Sequence, residues 1–134
     1  MSEIRIKAEL NNMPVVTEYF EEQAEALGVP LKIIMQMNVV LDEILGNIIN
    51  YAYPDKEGDV LFCMDMEDNN LKLRLEDSGI PYDPLAKEDP DITLSAEERE
   101  IGGLGILISK KMTDKIVYAY EDGKNKLTIW KKIN

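Results

Sequence analysis

The order of apolar patterns along the chain predicts an α+β domain of two layers, a mixed but mainly antiparallel sheet with three main helices on one face. Three observations carry that prediction. Short stretches that alternate apolar and polar residues come in adjacent pairs joined by turn residues, which favours hairpins. Two long stretches repeat their apolar residues at helical spacing. The elements also come in blocks (strand, two helices, hairpin, helix, hairpin) and do not alternate one for one, as the crossovers of a parallel sheet require.

Residues 1–10 alternate Ile4, Ile6, Ala8 and Leu10 with Arg5, Lys7 and Glu9, the period of a half-buried strand, and lack the apolar block of a signal peptide. Pro14 suits the first turn of a helix, where its missing N–H would have no partner anyway. That helix carries Val15, Val16, Tyr19, Phe20, Ala24 and Leu27, and Gly28 is placed to end it. Pro30 opens a second helix over residues 31–53. Its Ile34, Met37, Val40, Leu41, Ile44, Leu45, Ile48 and Ala52 fall within one broad arc at about 100° per residue. Residues 58–68 and 71–77 read as paired strands around a turn at Asn69-Asn70, because Leu71, Leu73 and Leu75 alternate with Lys72, Arg74 and Glu76. From 82 to 101 the composition turns to Pro, Asp, Glu and Lys; a connection so long inside a compact domain is commonly functional, and here it reads as a lid. A third helix is predicted from Gly103 through Leu104, Ile106, Leu107 and Ile108 to about Thr113. A last hairpin joins residues 115–121 to 126–133 across Asp122-Gly123.

A length of 134 residues fits one domain, 1–134, that buries roughly two-thirds of the surface of its unfolded form. The net charge of -11, with no basic cluster to offset it, excludes nucleic acid as an expected partner. A nucleotide bound by so acidic a chain needs a divalent cation and local backbone N–H groups, so magnesium is expected. Cys63 is the only cysteine, which leaves no internal disulfide and no multi-cysteine metal site. No apolar run is long enough to span a bilayer, and a cytoplasmic protein without a membrane partner is expected.

Glu43 and Asn47 lie four residues apart on the second helix, so their side chains share one face, and Gln36 and Asn50 fall on the same polar edge. A carboxylate beside a carboxamide offers a proton acceptor and a neutral oxygen ligand for magnesium. Taken alone, such a pair is an ordinary solvated helix edge. Asp77-Ser78-Gly79 directly follows a strand. Asp and Gly end strands everywhere, yet an Asp fixed there can also accept the exocyclic amine of adenine, with Gly79 letting backbone approach the base. Gly102-Gly103-Leu104-Gly105 precedes an apolar helix whose free N–H groups can receive a phosphate. The ordinary alternative is a hinge or tight packing on the sheet.

In this order, Glu43-Ile44-Leu45-Gly46-Asn47, Asp77-Ser78-Gly79-Ile80-Pro81 and Gly102-Gly103-Leu104-Gly105-Ile106 resemble the N, G1 and G2 boxes of the GHKL ATPase superfamily. Within it, the short chain, the stretches 41–43 and 51–53, and Pro81-Tyr82-Asp83-Pro84-Leu85 look like the anti-sigma-factor serine/threonine protein kinases. The likeness covers nearly the whole chain. It implies the histidine-kinase-like, Bergerat-type fold and an enzyme that binds ATP and magnesium and phosphorylates a small anti-sigma-factor antagonist. Glu43 would then be the general base, Asn47 the magnesium ligand, Asp77 the adenine contact and Gly79 the residue shaping the base pocket. Gly102, Gly103, Leu104 and Gly105 would cradle the phosphates under the lid, and Thr128 would stand near the adenine.

Ile101 occupies the position where some family members carry an arginine for the terminal phosphate, and Arg99 is the nearest candidate for that contact. The absence of histidine sets the chain apart from sensor histidine kinases, and its length from gyrase-like relatives. The resemblance implies a sigma factor as second partner and a homodimer as a further expectation. A nucleotide-binding, partner-switching module without kinase activity is the alternative reading.

Overall fold

The computed structural model describes residues 2–85 and 103–133. Strand β1 (Ser2–Lys7) leads through a short 3-10 turn into α1 (Met13–Ala26) and α2 (Leu31–Tyr51). The hairpin β2 (Asp59–Glu67) and β3 (Asn70–Asp77) comes next, then α3 (Gly103–Met112) and the hairpin β4 (Lys115–Glu121) and β5 (Lys124–Lys132). The five strands lie in the order β1-β2-β3-β5-β4. Every neighbouring pair is antiparallel, so the expected mixed sheet is antiparallel throughout the described strands.

Local chemistry accounts for the helix ends. Pro14 stands in the first turn of α1. At the other end Gly28 adopts φ 78°, its N–H donating to Glu25 O and that of Val29 to Ala24 O, both at 3.0 Å. This pair of bonds needs a left-handed residue at Gly28, and buried Val29 closes the motif against the core. The carbonyl of Pro30 accepts from Ile33 and Ile34 to start α2.

One face of the sheet and the inner faces of α1 and α2 form the core. Val16, Phe20 and Ala24 from α1 meet Ile34, Met37, Val40, Leu41, Ile44 and Leu45 from α2. Val60, Phe62, Met64, Leu71, Leu73, Leu75, Leu127 and Ile129 supply the sheet side. Phe62 is fully buried and meets Tyr19 and Phe20 edge to face, each at 6.3 Å between ring centres. Phe62→Ala is therefore expected to cost about 3–5 kcal/mol of unfolding free energy, read from the denaturant midpoint, because this packed site cannot collapse around the void.

The expected turn slips by one residue: Asp68 (φ 47°) and Asn69 (φ 67°) make it, and Asn70 already pairs with Glu67. Both tolerate left-handed backbone, as a two-residue hairpin requires. Asp122 (φ 55°) and Gly123 (φ 75°) form the second turn as read from sequence. The expected lid falls, from residue 86 on, outside the described residues, as do Arg99 and Gly102. No described helix is long and apolar enough to cross a membrane.

Candidate functional site

The last turns of α2, the end of β3 and the start of α3 meet at one end of the molecule. Glu43 and Asn47 share a face of α2, and Asn47 Nδ2 lies 3.4 Å from Glu43 Oε1, a weak bond that turns the amide oxygen the other way. Helix α3 packs across α2 at this point. A side chain built on Gly105 would land on the carboxylate of Glu43, so that carboxylate rests against the backbone near the α3 N-terminus. The first turn of a helix exposes N–H groups without intrahelical partners and the positive end of the dipole.

The turn after β3 is held from several sides. Ile80 N–H donates to the carbonyl of Ala52, the C-cap of α2, at 3.0 Å. Ser78 N–H donates to the Tyr53 hydroxyl at 2.8 Å, and that hydroxyl donates to Asp59 O at 2.7 Å. A Cβ on Gly79 would strike the carbonyl of Ala52, so only glycine lets the turn lie this close to α2. Asp77 is buried, and its Oδ1 accepts from Gly79 N–H and from Asn125 Nδ2, both at 2.9 Å. Among the described residues no hydrogen bond reaches Oδ2, which remains an acceptor. Desolvation by burial raises the Asp77 carboxyl above its ordinary pKa, and the bonds from Asn125 and Gly79 pull it back.

Between these elements opens a pocket lined by α2, the end of β3, α3 and β5. Ile44, Ile48, Leu75, Ile106 and Leu127 make its walls apolar, and Asn47, Asp77 and Asn125 are polar points within it. Apolar walls with a few placed polar groups suit a flat heteroaromatic ring.

The structure thus brings Glu43, Asn47, Asp77, Gly79 and Gly105 to one end of the molecule, with Gly103 and Leu104 in the first turn of α3. It does not bring Thr128 there. Leu127 and Ile129 on either side of it face the core, so Thr128 stands on the opposite face of the sheet, across from Arg74 and Val117. Asn125 holds the place facing Asp77 instead. Its signal in the sequence is a polar residue at an inward position of an otherwise alternating strand, Asn125, Leu127, Ile129.

The chain belongs to the histidine kinase-like ATPase domain family, whose sequence model matches residues 6–131. Among curated relatives it is similar to an anti-sigma F factor of Clostridium acetobutylicum, 28% identical over 109 residues that cover 81% of this chain and 76% of the relative. It is also similar to the serine-protein kinase RsbW of Bacillus cereus, 23% identical over 125 residues covering 90% and 78% of the two chains. Among solved structures, the RsbU and RsbW domains of Rv1364c from Mycobacterium tuberculosis share the fold with a TM-score of 0.65 at 14% identity. That match covers 99% of this chain and 33% of the longer one.

Proposed function

We propose that the chain is an ATP-dependent protein serine/threonine kinase that acts as an anti-sigma regulatory factor, phosphorylating a small antagonist protein and holding a sigma factor in the cytoplasm. The observation that carries this reading is the seat of the Glu43 carboxylate against the Gly105 backbone, one turn from an amide that shares the pocket with Asp77.

In this reading the base lies between the apolar walls and offers its amine to Asp77 Oδ2. The triphosphate runs toward the N–H groups of Gly103 and Gly105 in the first turn of α3, where the helix dipole favours negative charge. Glu43, at the same end, would take the proton of an incoming serine or threonine hydroxyl as it attacks the terminal phosphorus, while the bond from that phosphorus to the bridging oxygen breaks and ADP leaves. The Asn47 carbonyl oxygen is a hard donor turned away from Glu43, so it fits magnesium. Among the described residues no cluster of three or more His, Cys, Asp or Glu could hold a metal. The ion would therefore be shared between Asn47 and the phosphates, where it neutralises charge on the transferring group.

The test is to incubate the chain with magnesium, labelled ATP and a serine-bearing antagonist protein. Label on a serine or threonine of the partner is expected. A nucleotide-induced rise in melting temperature with no label on the partner would instead point to a switching module. Asn47→Ala is expected to weaken ATP affinity on the order of tenfold in magnesium and little in its absence. Equal losses in both titrations would remove Asn47 from the metal site.

A further inference from the structure

Asn125 is a buried side chain that the proposed transfer step does not use. It lies on the inward face of β5, directly across from Asp77 in the β3–β5 register. Its hydrogen-bonding capacity is fully engaged. Nδ2 donates to Asp77 Oδ1 and to the Ile80 carbonyl, both at 2.9 Å. Oδ1 accepts from the Tyr82 N–H at 3.1 Å and from the Tyr118 hydroxyl. Two of these partners are backbone groups with a single possible role: a carbonyl only accepts and an N–H only donates. They fix which way the amide faces, and a donor is always turned toward Asp77.

We propose that Asn125 sets the base specificity of the pocket by holding Asp77 as a hydrogen-bond acceptor, so that the ligand must present an amino group to Oδ2, as adenine does and a 6-oxo purine does not. This rests on the reading of Asp77 as the base contact. The alternative state is real chemistry: a buried carboxyl tends toward its neutral form, and a protonated Asp77 would donate from Oδ2 and accept a carbonyl-bearing base. The donors on Oδ1 oppose that tendency, and Asn125 is the side-chain donor of the two. Among the described residues, the titratable groups around this carboxylate include the phenols of Tyr51, Tyr53, Tyr82 and Tyr118, with Arg5, Asp59, Glu76 and Lys124 lining a small cleft beside it. Among the described residues none of these gives Oδ1 a hydrogen bond.

The experiment compares affinities for ATP and ITP, which differ in carrying an amine or a carbonyl at position 6 of the purine. The wild type is expected to prefer ATP. Asn125→Leu, with the same branching at Cγ but larger and without a donor, is expected to lower the ATP-to-ITP affinity ratio by about tenfold or more. Asn125→Ala, which removes the donor without adding bulk, is expected to lower it to a similar extent. A wild-type ratio in folded Asn125→Leu overturns the proposal. Should that variant fail to fold, a wild-type ratio in Asn125→Ala overturns it. Asp77→Asn run alongside separates the two levels: if it too keeps the ratio, Asp77 does not read the base, whereas if it alone shifts the ratio, only the role of Asn125 is lost.

Discussion

Gly105→Ala is expected to abolish phosphoryl transfer while leaving the melting temperature unchanged or raised. Gly105 lies inside α3, where alanine is the better helix former by roughly 1 kcal/mol. The three atoms nearest the added methyl all belong to the carboxylate end of Glu43, which can swing aside at small cost in stability. The swing removes the carboxylate from the place where an attacking hydroxyl would need it, and a misplacement of about 1 Å can cost on the order of a hundredfold in rate. Thermal melts and labelled-phosphate transfer on the same preparation check both halves. A variant that transfers at the wild-type rate would show that the Glu43 position against α3 has no part in the chemistry.

Glu43→Gln tests the same group with less change of shape. It keeps the length of the side chain and an oxygen for Asn47, and it removes proton-accepting power. Transfer is expected to fall by roughly 10²- to 10⁴-fold, the usual contribution of a positioned base, with ATP affinity within a few-fold of wild type. Single-turnover transfer at saturating ATP, beside an equilibrium titration, separates the two quantities. Wild-type turnover in this variant would eliminate Glu43 as the base.

The sequence already carried the architecture because its apolar spacings are long and regular. The arc from Ile34 to Leu45 could only be a helix lying on a core, and Leu71, Leu73 and Leu75 could only line one face of a strand. Motif order, more than any one motif, placed Glu43, Asn47, Asp77 and Gly105 near one another. What escaped depended on boundaries and on pairing between distant strands. The last strand read as beginning at Lys126, yet it begins at Lys124. That difference hides Asn125, whose partner Asp77 is 48 positions away and is set by the β3–β5 register. Thr128 is the counterpart error: a hydroxyl in the right strand but on the wrong side of it, because side chains alternate faces residue by residue. Tyr53 read as the end of α2, and only the folded chain turns its hydroxyl toward Ser78 and Asp59.

The most direct test of a single nucleotide bridging α2, the β3 turn and α3 is a titration of the isotope-labelled chain with magnesium and a non-hydrolysable ATP analogue, followed by backbone amide resonances. The signals of Asn47, Gly79, Gly103 and Gly105 are predicted to shift together along one saturation curve. Shifts at the Asp77 turn with none at Gly103 and Gly105, or separate curves for the two regions, would contradict a shared site.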